Sequence, residues 1–169
     1  MKKISVIGSP GAGKSTFSKG LSNAIGIKIY HLDRLFWKPG WVHITRKELM
    51  EKVNLVFEED EWIIDGNYQN TLESRFEESD TIFFLDYSLI ICLWGIFKRR
   101  FEFHNKKRED LTDGCDEKLD FEFFWYVVMF RLKQRPMIYK KLNEYRENRK
   151  IVIFKNRKQA RNYIENMAN

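Results

Sequence analysis

Short apolar runs alternate along this chain with segments in which apolar residues recur every three or four positions. The runs KISVIG, IKIY, EWIIDG, DTIFFLDYS and KIVIFK are rich in β-branched and aromatic residues, which is typical of buried strands. Strands that alternate with helices predict a three-layer α/β fold around a five-stranded, mostly parallel sheet. The helical spacing predicts helices near residues 15–25, 70–78, 88–103, 119–146 with a break at Pro136, and 156–167, besides one that begins at Thr45.

The helix that begins at Thr45 carries the clearest boundary signal. Thr45 and Glu48 have the spacing of a capping box, in which each side chain bonds the backbone N–H of the other residue. Leu49, Val53 and Val56 then supply its apolar face. We therefore expect this helix to pack against one face of the sheet.

The composition indicates one folded domain over residues 1–169. Hydrophobic residues make up 43% of the chain, which is enough to build a core. The longest apolar stretch is too short to span a bilayer, and no export signal precedes the first glycines, so we expect a cytoplasmic protein. Cys92 lies in an apolar run and is expected in the core, whereas Cys115 has no second ligand at metal-site spacing.

Residues 8–15, GSPGAGKS, fit the pattern G-x-x-x-x-G-K-[ST] at every position, between a predicted strand and a predicted helix. Backbone N–H groups of such a loop point at phosphates, and the following helix adds its positive end. We predict that the loop binds ATP or GTP, with Lys14 on the β- and γ-phosphates and Ser15 on Mg²⁺. The predicted nucleotide-binding residues of this loop are Gly8, Ser9, Pro10, Gly11, Ala12, Gly13, Lys14, Ser15 and Thr16.

Two further motifs narrow the class of P-loop protein. WIIDGNYQN places Asp65 at the carboxyl end of a strand, where ligands gather in parallel sheets. FLDYSLIICLWGIFKRR leads from a strand into a helix that ends in two arginines. In both motifs the chain resembles the adenylate kinase family. The resemblance implies that Asp65 orients the waters of a magnesium ion beside the substrate.

The resemblance also implies a lid over about residues 99–135, which includes the polar stretch 104–118. Two arginines end the helix that enters the lid, and two more stand one helical turn apart where the chain returns. Family members use such arginines to grip the nucleotide and the moving phosphoryl group. The residues expected in these roles are Arg99, Arg131 and Arg135 for catalysis, and Arg100 and Asn156 for nucleotide binding.

The chain departs from adenylate kinases at two positions. Those enzymes follow Asp-Gly with Phe-Pro-Arg, whose arginine grips the acceptor's phosphate, whereas this chain has Asn67, Tyr68 and Gln69. The arginine that stacks on adenine would fall at Gly95. AMP is therefore a doubtful acceptor, and we expect Asn67 and Tyr68 to contact a different molecule.

Four segments are similar to a branch of these kinases known as topology-modulation or FlaR-like proteins. They are HLDRLFWKPGW, IDGNY, GCDEKLDFEFFW and the Arg-Pro pair at 135–136. These segments are spread over residues 31–136. This resemblance implies a phosphotransfer mechanism but names no acceptor.

The segment HLDRLFWKPGW, residues 31–41, is too aromatic for an idle surface loop. In related kinases this region, here about 31–60, holds the acceptor. Asp33 can accept a proton from an acceptor hydroxyl or hold it in line, and Arg34 can meet an acceptor phosphate. Phe36, Trp37 and Trp41 can stack a ring. The alternative is a hydrophobic cluster at the sheet edge, with Asp33 as a helix or turn cap. We expect His31 to be a neutral packing residue.

The net charge of +6 is unevenly spread, because residues 98–169 hold 19 Lys and Arg against 11 Asp and Glu. We expect an ATP- and Mg²⁺-dependent phosphotransferase whose small acceptor is a nucleoside or nucleotide. The alternative is a nucleotide-gated DNA-binding protein, in which the basic half contacts nucleic acid. No DNA-reading motif supports that alternative.

Overall fold

The computed structural model describes residues 1–102, 110–112, 114 and 121–168. A five-stranded sheet forms its centre, and every pair of neighbouring strands in it is parallel. The strands lie in the order β2-β5-β1-β6-β7, and a separate two-stranded hairpin pairs β3 with β4. The bounds are β1 Lys3–Gly8, β2 Ile29–His31, β3 Trp37–Lys38, β4 Val42–His43, β5 Trp62–Asp65, β6 Thr81–Leu85 and β7 Lys150–Phe154.

Helices connect these strands and cover both faces of the sheet. A π-helical turn, Phe130–Gln134, joins two of them. The helices are α1 Lys14–Ile25, α2 Leu32–Phe36, α3 Arg46–Phe57, α4 Gln69–Glu78, α5 Leu89–Glu102, α6 Phe121–Met129, α7 Arg135–Glu144 and α8 Arg157–Ala168. None of the helices that the structure describes is long and apolar enough to cross a membrane.

Alternation along β1 divides the core between the two faces. Val6 packs with Phe17 of α1 and with α5 and α8, whereas Ile7 packs with Phe76 of α4 and with α7. A third cluster joins α3 to Trp62 and β5. Successive side chains of a strand point to opposite faces, so an apolar strand buried on both sides needs helices on both.

The observed elements confirm the predicted α/β fold and its five-stranded sheet. The capping box of α3 is present, because Thr45 accepts from the Glu48 N–H and Glu48 accepts from the Thr45 N–H. Cys92 is buried, as expected. Cys115 and nearly all of residues 104–118 lie outside the described residues.

Three local features differ from the predicted pattern. The long helix 119–146 is interrupted by the π-helical turn, and Pro136 stands in the first turn of α7, where its missing N–H leaves no hydrogen bond unmade. Residues 32–36 form a short helix, and Pro39-Gly40 makes the bend of the β3–β4 hairpin. The aromatic segment therefore folds as a helix followed by a hairpin.

Candidate active site

The loop of residues 8–15 lies at the carboxyl end of β1, at the centre of the sheet. A Cβ atom placed on Gly11 would lie 2.1 Å from the Cys92 carbonyl oxygen, and one on Gly95 would lie 2.1 Å from the Gly11 carbonyl oxygen. Gly11 also has a φ of 76°, which other residues rarely adopt. The loop and α5 thus meet backbone to backbone, and glycine on both sides makes that contact possible.

Lys14 lies over this loop. Its Nζ donates to the carbonyl oxygens of Gly8 at 3.1 Å and Ser9 at 3.4 Å. Burial lowers the pKa of Lys14, the negative charges of Asp33 and Asp65 oppose that effect, and the positive charge of Arg99 adds to it. The loop lysine therefore shares one region with both predicted carboxylates and one predicted lid arginine.

Asp65 ends β5 and is buried beside the loop. Its Oδ1 lies 2.9 Å from His31 Nδ1, while Oδ2 is buried without a hydrogen-bond partner among the described residues. Burial alone would lower the pKa of His31, but the hydrogen bond and charge of Asp65 outweigh it and raise the pKa. The expectation that His31 is only a packing residue is therefore wrong.

A buried arginine on α4 stands behind Asp65. Arg75 is fully buried, and its Nε donates to Thr71 Oγ1 at 3.2 Å. Burial lowers the pKa of Arg75 to about 10, and the charge of Asp65 acts in the opposite direction. The positive charge of Arg75 therefore interacts favourably with the buried Asp65 carboxylate.

Asn67 and Tyr68, which follow β5, contact the loop and the aromatic segment. Asn67 Oδ1 accepts from the Gly8 N–H at 3.2 Å, and its Nδ2 donates to the Gly8 carbonyl. Tyr68 donates its hydroxyl to Asp33 Oδ1 at 2.8 Å. Asn67 therefore holds the start of the loop, whereas Tyr68 positions the predicted acceptor carboxylate.

Aromatic rings form a wall next to Asp33. Phe36 stacks on His43 at 5.5 Å between ring centroids and packs on Tyr68 at 4.8 Å. Trp37 meets Trp41 edge to face at 5.1 Å. Trp41 has a φ of 63°, the one positive φ of a non-glycine residue in the described part of the chain. Backbone strain of this kind persists where surrounding contacts hold it, and it is frequent at binding sites.

The described residues between α5 and α6 cross the site from the loop to this wall. Asp110 Oδ2 accepts from Ser15 Oγ at 2.5 Å. Thr112 donates to the carbonyl oxygen of Trp37 at 2.6 Å, and Gly114 accepts from the Gly40 N–H at 3.0 Å. Part of the predicted lid therefore touches both halves of the site.

A cluster of ion pairs and hydrogen bonds surrounds Asp86, the residue that follows β6. Arg135 donates to both oxygens of Asp86, at 2.7 and 2.9 Å, and Lys155 and Tyr139 each donate to Oδ2 at 2.6 Å. Burial alone would raise the pKa of Asp86, but these hydrogen bonds outweigh it and hold the pKa below its usual range. The Arg135 charge is thus paired within the protein.

The other predicted cationic residues occupy distinct places. Arg131 lies beside Arg135 in a small cavity that includes Ser9, and donates to the Tyr87 carbonyl at 3.3 Å. Asn156 caps α8, because its Oδ1 accepts from the Gln159 N–H at 2.9 Å. Arg34 is exposed, and Arg99 and Arg100 are half-buried near the end of α5. The catalytic and binding roles of these residues stay predictions.

The residues present fit a nucleotide with magnesium. Lys14 bonds the loop carbonyls, Ser15 offers a hydroxyl ligand, and Asp65 has one buried oxygen with no hydrogen-bond partner in the part of the chain that the structure describes. No group of three His, Cys, Asp or Glu side chains in the described chain could hold a metal by itself. That is expected for Mg²⁺, which binds one or two protein groups together with phosphates and water.

Solved structures with similar folds are small-molecule kinases. A deoxyadenosine kinase from M. mycoides with bound dATP matches with a TM-score of 0.54 and 16% identity, over 98% of each chain. Shikimate kinase from Acinetobacter baumannii with shikimate matches with a TM-score of 0.61 and 14% identity, over 99% of this chain and 90% of the other. No family model and no curated protein matches the sequence. These likenesses confirm the α/β P-loop kinase fold.

Sequence reasoning missed several residues of this site. Asp86 directly follows β6, much as Asp65 ends β5, so the same rule about strand ends could have found it. His31 also stands at a strand end, next to Asp65 in the sheet. Asp110 and Arg75 carried no such signal, because only the folded chain brings Asp110 to the loop and Arg75 under the influence of Asp65.

Proposed function

We propose that this protein is an ATP-dependent phosphotransferase that moves the γ-phosphate to a small acceptor, with a nucleoside or nucleotide as the leading candidate. One observation carries the proposal: the adjacent residues Asn67 and Tyr68 bond Gly8 of the phosphate loop and Asp33 of the aromatic segment, which brings the loop and the segment together. Transfer of a phosphoryl group to an acceptor with a ring requires a phosphate-binding group and, near it, a carboxylate beside aromatic side chains.

The residues on the acceptor side have defined tasks. Asp33 holds the acceptor hydroxyl in line and takes its proton as the bond from that oxygen to the γ-phosphorus forms. The bond from the γ-phosphorus to the bridging oxygen breaks, and ADP leaves. Tyr68 fixes the Asp33 carboxylate through its hydroxyl. The rings of Trp37 and Trp41 pack on the acceptor and exclude water.

The residues on the nucleotide side stabilise charge. Lys14 and Arg99 place positive charge beside the β- and γ-phosphates, where negative charge is spread in the transition state. Ser15 and Asp65 are the groups that would hold Mg²⁺, which when bound neutralises phosphate charge. Asn67 fixes the loop through Gly8. The similarity to topology-modulation proteins remains a prediction, and it adds no acceptor to this scheme.

A coupled ADP-release screen tests the proposal. The panel should contain deoxynucleosides, nucleosides, nucleoside monophosphates, shikimate and simple sugars, because kinases of this fold include one with bound dATP and one with bound shikimate. We expect one class to raise ADP release at least about tenfold over the rate with water alone, a difference of about 1.4 kcal/mol. No acceleration by any member would contradict a small-molecule kinase.

Lys14→Ala provides the matched loss of function. Among the described residues, the Lys14 Nζ bonds only the loop carbonyls of Gly8 and Ser9, and burial disfavours its charged form. Removal of the side chain should therefore leave the melting temperature nearly unchanged. Acceptor-stimulated ADP release should fall by about a hundredfold or more, as expected for loss of one preorganised charge. Lys47→Ala, which removes an exposed lysine from α3, should retain the wild-type rate. Equal rates in both variants would remove the loop from the mechanism.

A further inference from the structure

Asp110 reaches the phosphate loop from far along the chain. Its Oδ2 accepts the Ser15 hydroxyl hydrogen at 2.5 Å across 95 residues of sequence. Ser15 is the residue whose oxygen would bind Mg²⁺ under the function proposed above. The contact therefore joins a carboxylate of the chain between α5 and α6 to the predicted metal ligand.

A hydroxyl that binds a cation uses a lone pair and keeps its proton, which still needs an acceptor. A carboxylate that accepts this proton is held close to the ion and beside its remaining ligands. Mg²⁺ retains several waters in proteins, and carboxylates in its outer shell accept hydrogen bonds from them. The Asp110–Ser15 contact has the geometry of such an outer-shell interaction.

The other two acidic residues of the site already have protein partners. One oxygen of Asp65 is bonded to His31, and Asp33 accepts from Tyr68. The pKa of His31 is lowered by burial but raised by Asp65, Asp110 and Asp33, so all three carboxylates face one region. Among the described residues, Asp110 is the carboxylate that contacts Ser15 directly.

Asp110 is held in place by its neighbours. Leu111 is buried, with 5% of its surface exposed. Thr112 donates to the carbonyl oxygens of Trp37 and Arg34, and the carbonyl of Gly114 accepts from Gly40. Anchors on both the core and the aromatic segment fix the direction of the Asp110 side chain toward the loop.

We propose that Asp110 is a positioning residue for magnesium: it accepts the Ser15 hydroxyl proton and orders the water ligands of the ion bound with ATP. The inference rests on the proposed function. The opposing possibility is that Asp110 blocks Ser15 and must leave before the metal binds. The two possibilities predict opposite effects of substituting Asp110 on ATP affinity in Mg²⁺. Loss of a supporting residue weakens metal-dependent binding, whereas loss of a blocking residue strengthens it.

Calorimetric titration of ATP, with Mg²⁺ and with EDTA, separates them. In Asp110→Asn we expect ATP affinity in Mg²⁺ to fall about tenfold or more, the usual cost of removing an outer-shell partner. The affinity in EDTA should stay unchanged. Glu102→Gln removes an exposed carboxylate, paired with Lys98, from the end of α5 and should leave both affinities unchanged. Melting curves on each preparation establish that the variants are folded.

Each remaining outcome overturns the inference. Unchanged affinities would make the contact incidental, tighter binding in Mg²⁺ would make Asp110 a block, and equal losses in both conditions would exclude a metal-specific role. Asp110→Glu keeps the charge and should recover part of the affinity lost in Asp110→Asn; recovery of none would exclude the carboxylate. If the wild-type protein binds no ATP in either condition, the proposed function fails with it, whereas wild-type binding with an unaffected Asp110→Asn sinks only this inference.

Discussion

At the scale of single residues, the site depends on what each carboxylate accepts. Asp33 receives the Tyr68 hydroxyl, and burial together with the nearby Asp33 charge raises the pKa of Tyr68. Tyr68 therefore stays protonated and always donates, so one lone pair of Asp33 is permanently occupied. This hydrogen bond fixes the orientation of the Asp33 carboxylate beside the rings.

Asp33→Asn tests whether that carboxylate serves the acceptor. The change keeps size and some hydrogen bonding but removes the charge and basicity, so transfer should fall roughly a hundredfold or more. ATP affinity should barely change, because Lys14 and the loop glycines bind ATP without Asp33. If Asp33 is only structural, the change should instead cost about 1 kcal/mol of stability with turnover per folded molecule retained. Melting temperature and single-turnover transfer on one preparation decide between these results.

The His31–Asp65 pair predicts a pH dependence of stability. The folded-state pKa of His31 is raised overall, so its contribution is fully present below the unfolded pKa and is lost as pH rises through the folded pKa. The difference in unfolding free energy between wild type and His31→Asn, measured with denaturant, should therefore be about 1 kcal/mol larger near pH 6 than near pH 9.

His43→Asn is the matched control for that measurement. His43 is exposed on the hairpin, and its Nδ1 faces the Ile44 carbonyl oxygen, not a carboxylate. Because its ring faces a carbonyl oxygen, loss of His43 removes no bond to Asp65, so a pH dependence found only in His31→Asn belongs to the His31–Asp65 pair. If the difference in unfolding free energy between wild type and His31→Asn is the same at both pH values, the result would contradict an ionised pair of His31 and Asp65.

At the scale of elements, the phosphate loop is shaped by α5 as well as by its own glycines. The loop carbonyl of Gly11 lies where any side chain at Gly95 would stand. A glycine inside a helix costs about 1 kcal/mol relative to alanine. Gly95 therefore lowers the stability of α5 but allows the loop to approach it closely. A Cβ at Gly95 would also lie 2.7 Å from the Arg157 guanidinium.

Gly95→Ala should displace the loop. The added Cβ would lie 2.1 Å from the Gly11 carbonyl, and overpacking of this kind costs about 1 to 3 kcal/mol. We expect a lower melting temperature and an ATP affinity reduced about tenfold, which corresponds to 1.4 kcal/mol. Both can be measured by thermal unfolding and calorimetric titration.

Gly20→Ala, in the middle of α1, is the matched helical glycine. Its Cβ would meet only the end of the flexible Ile164 side chain, at 3.0 Å, so helix propensity should leave stability unchanged or raised. ATP affinity should match that of wild type. Equal behaviour of the two alanine variants would show that the contact between loop and α5 does not shape the nucleotide site.

Local patterns predicted the strands, the capping box of α3 and the phosphate loop, because each signal lies within a few neighbouring residues. The contacts that complete the site join distant parts of the chain. Ser15 and Asp110 are 95 residues apart, and Asp86 and Lys155 are 69 apart. The Pro39-Gly40 pair indicates a turn, but β3 and β4 on either side of it have two residues each, too few to show an alternating pattern in the sequence. These contacts depend on the register between strands and on the packing between helices. Neither can be read from the few neighbouring residues that make up a local sequence pattern.

At the scale of the whole molecule, the charge is uneven, yet much of it is paired internally. Arg135 and Lys155 are bound to Asp86, and Lys141 is paired with Glu73. Arg149 donates to the carbonyl oxygens of Phe76 and Glu77. The ion pairs of Arg135, Lys141 and Lys155 lower the positive charge that residues 98–169 can offer to a polyanion.

This charge arrangement predicts weak, non-specific DNA binding that ATP does not change. A labelled duplex titrated at about 150 mM salt should give a Kd in the range of about 10⁻⁴ to 10⁻⁶ M, the ordinary level of sequence-independent binding. Affinity should fall linearly on a logarithmic salt scale and should be equal with ADP, with ATP and without nucleotide, because no described contact links the paired basic cluster to the loop lysine. Lys14→Ala should then bind DNA as wild type does. A duplex affinity that tightens tenfold or more with ATP, and loses that gain in Lys14→Ala, would favour a nucleotide-gated DNA-binding protein over a small-molecule kinase.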